Sequence, residues 1–192
     1  MRLILSSCDF SNPASRKCIT EHLPVSLDRC RVLFIPNEKA TAEKIRSGKY
    51  HTRLQKYGFS RENIYVFDAA QADRFISLSL DAIYVSGGNT FLTMQKLRSC
   101  GFDRELVKYV QNGVTYIGGS AGAHLVTQNI AHVAAYDAMP TDMTDFAGLG
   151  LFHGIFLCHY TPERYMYCEA LRAKNSFRVY TLTDEESLVI EE

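Results

Sequence analysis

VTYIGGSAGAHL, residues 114–125, is the stretch on which the fold turns. Residues 114–117 form a short apolar run of β-branched and aromatic side chains, the composition of a buried strand. Gly118-Gly119-Ser120-Ala121-Gly122 follows at once, and the helix-like AGAHLVTQ continues from it. A strand that enters a helix through a glycine-flanked serine matches the G-x-S-x-G nucleophile elbow. The reason for the pattern is geometric. The chain turns sharply, the glycines let neighbouring backbone pass without a Cβ clash, and the serine oxygen projects at the carboxyl edge of a sheet. The same five residues also describe a plain tight turn whose serine caps a helix.

A second turn decides between these readings. Residues 82–86 (AIYVS) are another apolar run, and they lead into Gly87-Gly88-Asn89 just before a helical pattern at 90–100, with Phe91, Met94 and Leu97 on one face. Two such turns at the ends of parallel strands face each other across a crevice. The N–H groups of Gly88 and Ala121 are then candidate oxyanion donors, each worth on the order of 3 kcal/mol in a transition state. Nucleotide binding is a weak rival, since the chain has neither G-x-G-x-x-G nor a Walker lysine.

Outward from these turns, strand-like runs at 3–6, 31–36, 63–67, 155–158, 178–182 and 188–190 alternate with helical patterns at 40–57, 70–78, 104–112 and 162–174. Asn12-Pro13 has the form of a helix start, with Asn12 as N-cap. Short apolar strands separated by helices predict an α/β fold: a three-layer, doubly wound, mostly parallel sheet covered on both faces. No repeat or linker divides residues 1–192, which read as a single domain. Residues 136–150 form the expected mobile loop.

Bulk composition narrows the function. Lys plus Arg and Asp plus Glu are 21 each, so the net charge is zero and no nucleic-acid partner is expected. Lys39, Lys44, Arg46, Lys49, Arg53 and Lys56 read as a solvated helix face. No apolar run is long enough for a membrane span or a secretory leader, which points to the cytoplasm. The six cysteines show no metal-ligand spacing and are expected as free, mostly buried thiols, Cys158 among them. No metal or organic cofactor is indicated.

A serine nucleophile needs a base. Of six histidines, His159 ends the apolar strand GIFLC, so a parallel strand brings it to the edge that carries Ser120. His124, one helical turn after Ser120, and His132 and His153, near loop or strand ends, lack that placement.

RVLFIP at 31–36, SGGNTF at 86–91, YIGGSAGAHL at 116–125 and the strand-plus-histidine at 155–159 resemble the peptidase E family of aspartyl dipeptidases and cyanophycinase relatives. The resemblance runs over nearly the whole chain. It implies a fold like the class I glutamine amidotransferase domain, flavodoxin-like, and a serine peptidase acting on short peptides. Ser120 would be the nucleophile, His159 the base, and Gly88 and Ala121 the oxyanion donors. Family usage places the third member at Asp137, in YDAMP; Asp184, in LTDEES, is the rival, favoured by a strand end that holds geometry well. Asn89 and Arg164 are expected near the substrate. The segment HYTPERYMYCEALRA departs from the family, lacking its substrate-gripping arginine at the usual place, and Arg164 or Arg172 are the substitutes. A broader dipeptidase or aminopeptidase is therefore expected rather than strict Asp-X cleavage. An amidase or esterase on the same site, a non-catalytic binding domain and a thiol role for Cys158 are the rivals. A homodimer follows from the family and from Tyr160, Tyr165 and Tyr167. The chain stops just past its last expected strand, which leaves room for a missing C-terminal hairpin.

Overall fold

The computed structural model describes residues 1–174 and 177–191. Its strands are β1 (Arg2–Ser6), β2 (Val32–Ile35), β3 (Ile64–Val66), β4 (Ala82–Val85), β5 (Thr115–Gly119), β6 (Ile155–Leu157), β7 (Val179–Thr181) and β8 (Ser187–Glu191). Its α-helices are α1 (Pro13–His22), α2 (Ala42–Arg46), α3 (Lys49–Tyr57), α4 (Thr90–Ser99), α5 (Phe102–Gln111), α6 (Ala121–Leu125) and α7 (Tyr165–Lys174). Six strands form one sheet in the order β3-β2-β4-β5-β1-β8, parallel except for β8, which lies antiparallel on β1.

Strand alternation splits the core into two layers. Leu3, Leu5, Leu33, Ile35, Ile83, Val85 and Tyr116 face one side, against α4, α5 and α6. Ile4, Val32, Phe34, Ala82, Tyr84 and Ile117 face the other, against residues of α1 and α3. Both faces are dry, which is why the central strands read as unbroken apolar runs. The three-layer, mostly parallel α/β sheet expected from the sequence is the fold observed.

Three details differ. Residues 40–57 are not one helix: Gly48, at φ +76°, divides α2 from α3. β6 does not enter the main sheet, because β8 covers the free edge of β1; it pairs in parallel with β7 in a separate two-stranded sheet. Residues 136–150 are tied down. Asp137 accepts from the Thr90 N–H, Asn89 Nδ2 donates to the Ala138 carbonyl, and Arg98 donates to the carbonyls of Asp145 and Ala147.

The small sheet docks on the carboxyl edge of the large one through Ser7, which follows β1. Its hydroxyl donates to the Leu182 carbonyl at 2.9 Å and accepts from the His159 N–H at 3.0 Å. That link delivers the end of β6 to the end of β5.

The helix after β5 lies hard against the sheet. A Cβ on Gly122 would stand 2.3 Å from the Val85 carbonyl oxygen, and one on Gly118 would stand 2.7 Å from Gly122 backbone. Both neighbours are backbone and cannot rotate away. Gly122→Ala is expected to cost about 1–3 kcal/mol, seen as a lower urea midpoint with an unchanged slope.

Candidate active site

Ser120 takes φ +50° and ψ −106° between β5 and α6. A residue with a Cβ reaches that conformation only at a cost of order 1–3 kcal/mol, and only where its surroundings hold it. Here they do. The Ser120 N–H donates to the Ser6 carbonyl at 2.8 Å, and its own carbonyl accepts from Ala123 and His124 at 2.9 and 3.0 Å. Asp9 and His159 also have positive φ, at +46° and +53°. Four non-glycine residues do so among those described, and three of them line the same cleft.

Within that cleft the Ser120 hydroxyl donates to His159 Nε2 at 3.0 Å, and His159 Nδ1–H donates to Asp184 Oδ1 at 2.6 Å. The hydrogen bond from His159 holds the Asp184 carboxyl below the ordinary carboxylate range. An ionised acid there fixes the ring proton on Nδ1 and turns the Nε2 lone pair toward the serine. The histidine itself is anchored by its backbone N–H on Ser7, and the next residue donates from Tyr160 N to the Leu182 carbonyl at 2.9 Å.

The other expected site residues fall in different places. Asp137, expected first as the acid, contacts no part of this chain of hydrogen bonds. Its carboxylate accepts from the Thr90 N–H at 2.7 Å, where it satisfies the first turn of α4. Asn89, expected near the substrate, serves the same helix end: its Oδ1 accepts from the Leu92 N–H at 2.9 Å, which makes it the N-cap of α4. Arg164 donates to the Cys158 carbonyl at 2.8 Å and lies over the Tyr136 ring at 5.1 Å. It braces the strand end that carries His159 and does not line the cleft. Arg172 pairs with Glu169 on α7.

Gly87, more than Gly88, faces the serine, with its Cβ position 3.3 Å from Ser120 Cβ. Gly88 admits the loop after β2, since a Cβ there would meet Asn37 and Glu38 at 2.5 Å. Ala121 opens α6 immediately after the serine. Cys158 is buried, and burial pushes its thiol up to about 12, a packing role. His124 is buried between Thr90 Oγ1 and the Tyr136 hydroxyl, and burial drives its pKa well down, so it stays neutral. His132 donates from Nε2 to the Phe156 carbonyl at 2.6 Å.

The cleft has a volume of ≈ 380 Å³ and is walled by Ser7, Cys8, Asp9, Asn37, Arg53, Gly87, Ser120 and His159. A larger hollow of ≈ 630 Å³ runs along β7, but neither Ser120 nor His159 is in its wall. Two charged members of the cleft escaped the sequence reading. Asp9 is buried, and a Cβ on Gly119 would stand 2.5 Å from its Cβ, so that glycine makes room for it. Arg53 is not part of a solvated helix face. It lies over Phe34 and Tyr57, donates from Nε to the Tyr57 hydroxyl at 3.1 Å, and comes within 3.9 Å of Asp9. Only the run SSCD at a strand's carboxyl end could have signalled the first; nothing local marks the second.

Fold and site together define a class, enzymes that mount a serine on a strand-to-helix elbow beside an imidazole. The family model of peptidase family S51 matches residues 2–192, and the chain belongs to that family. This agrees with the peptidase E-type resemblance carried by SGGNTF and YIGGSAGAHL. The uncharacterized peptidase Lin0382 of Listeria innocua is 31% identical over 137 residues, covering 67% of this chain and 64% of that protein. The "Probable alpha-aspartyl dipeptidase" of Drosophila melanogaster is 35% identical over 103 residues, 52% of this chain and 40% of its own. The chain thus spans less than two thirds of either relative's length. A crystal structure of a Listeria monocytogenes EGD-e protein given the peptidase E name shares the fold, with a TM-score of 0.76 and 24% identity over 98% of this chain and 93% of that one.

The two acids are separable by experiment. Asp184→Asn is expected to slow fluorophosphonate capture at Ser120 by about 10³-fold or more, through loss of the productive tautomer. Asp137→Ala should leave that rate within a few-fold and cost about 1 kcal/mol of stability as a lost helix-end partner. Labelling rates followed by intact mass, with urea melts, check both.

Proposed function

We propose that the chain is a serine peptidase that cleaves short peptides through an acyl-enzyme, with Ser120 as nucleophile, His159 as base and Asp184 as the acid that orients it. One observation carries the reading: an unbroken hydrogen-bonded line from the strained Ser120 through His159 to Asp184, at 3.0 and 2.6 Å.

The steps follow from the proton positions. His159 Nε2 takes the Ser120 proton as Oγ attacks the scissile carbonyl, and Asp184 steadies the imidazolium. The N–H groups of Ala121 and of the Gly87–Gly88 turn hold the oxyanion. The imidazolium then gives its proton to the leaving amine. Water repeats the sequence on the ester, with His159 again as base, and the serine is regenerated.

Substrate size and charge are read from the cleft. It is open, and its walls carry Asp9 and Arg53, opposite charges that suit the charged ends of a short peptide better than a neutral ester or amide. The name of the Drosophila relative points to dipeptides. Six unpaired cysteines suit a reducing compartment, which favours the cytoplasm. Among the described residues no helix is long and apolar enough to cross a membrane.

Ser120→Ala is expected to keep the native melt and to lower turnover of aminoacyl p-nitroanilides and dipeptides by about 10⁴-fold or more. Full activity in that variant would remove Ser120 from the mechanism. Turnover of p-nitrophenyl esters by the native chain with no cleavage of any dipeptide or aminoacyl p-nitroanilide would replace the peptidase reading with an esterase.

A further inference from the structure

We propose that Cys8, His159 and Asp184 form a site for one zinc ion, and that zinc held there switches the serine off. The proposal rests on the reading of Ser120 and His159 given above.

Cys8 follows β1 two residues after Ser6, and its Sγ lies beside the acid. One ligand atom from each of Cys8, His159 and Asp184 falls within 4.8 Å of the other two. His159 Nδ1 bonds to the Asp184 carboxylate at 2.6 Å, and the Cys8 sulfur faces the same pair. A tetrahedral zinc with bonds of about 2.0–2.3 Å needs its ligand atoms about 3.4–3.6 Å apart. The carboxylate and ring nitrogen, 2.6 Å apart, must part by about an ångström, and the sulfur, within 4.8 Å of both, must close by at most about as much. The side chains of His159 and Asp184 are 42% and 61% exposed, so a hydrated ion reaches them and a water completes the fourth position. The three come from different parts of the chain. Ser7 holds two of them in register, being next to Cys8 in sequence and bonded to the backbone N–H of His159. A sulfur, nitrogen and oxygen donor set suits zinc or cobalt; magnesium and calcium want oxygen alone.

The consequence lies in the ring proton. In the metal-free site Nδ1 carries the hydrogen and Nε2 accepts from Ser120. Zinc binds Nδ1 through its lone pair, so the neutral ring must carry its single hydrogen on Nε2. The thiol proton leaves to solvent as the sulfur binds. Nε2–H then points at Ser120 Oγ and cannot accept a proton from it, and Asp184 is withdrawn to the metal. Binding zinc and activating the serine are mutually exclusive.

The test uses the full chain, Zn²⁺ and Co²⁺ as probes, and the rate of fluorophosphonate capture as the readout of the serine. Co²⁺ is expected to give a near-ultraviolet thiolate charge-transfer band. Saturating Zn²⁺ should slow capture by about tenfold or more, with recovery on adding EDTA. Cys8→Ser, and Cys8→Ala as a second variant, should lose the band and need roughly 10–100 times more zinc for the same proportional slowing. Absence of the cobalt band in the native chain, a band without slowing, or a zinc sensitivity in both variants equal to that of the native chain would each overturn the proposal. If the native chain is not captured even without metal, the serine reading fails instead, and the cobalt band alone still decides whether the site binds metal.

Discussion

The contact of the Gly122 backbone with the Val85 carbonyl is the constraint on which the rest of the site depends. It lets α6 begin directly on top of the sheet, with no loop between β5 and the helix. A helix started so abruptly leaves one residue to absorb the whole change of direction, and that residue is Ser120 at φ +50°. Glycine would take the conformation more cheaply. That a serine occupies it, fixed by the Ser6 carbonyl and by the first amides of α6, means that packing holds the hydroxyl at a chosen point on the sheet edge.

A second constraint brings the imidazole to that point. β6 cannot extend the main sheet, so the residue after it would be free to wander but for Ser7. One hydroxyl bonds both the His159 N–H and the Leu182 carbonyl, and so fixes the histidine and the strand leading to Asp184 relative to β1. β1 in turn pairs with β5, which carries Ser120. The site is therefore a closed loop of hydrogen bonds from β1 through β5 and β6 to β7 and back. Arg164, bonded to the carbonyl just before His159, stiffens the same corner.

The strands were legible because both faces of the sheet are dry, and eight short apolar runs mark them. The elbow was legible because Gly118, Gly119 and Gly122 have no other reason to be so close. What the sequence hid were choices made by tertiary placement. Asp137 and Asp184 both stand in polar turns, and nothing local separates a helix-end acid from a histidine partner; the bond to the Thr90 N–H does. The separate β6–β7 sheet was hidden because pairing partners leave no mark on an apolar run. Arg53 was hidden by its neighbours, five other basic residues that do face solvent or leave the cleft. The break at Gly48 was hidden because a glycine inside a helical pattern is tolerated as often as it ends one.

The most direct measurement is a crystal structure of the chain after reaction with a small fluorophosphonate. The account predicts one covalent adduct, on Ser120 Oγ, with the phosphonyl oxygen received by the N–H of Ala121 and the Gly87–Gly88 turn and with His159 Nε2 still beside the bond. An adduct on another residue, or a phosphonyl oxygen turned to solvent with no backbone N–H against it, would contradict the account.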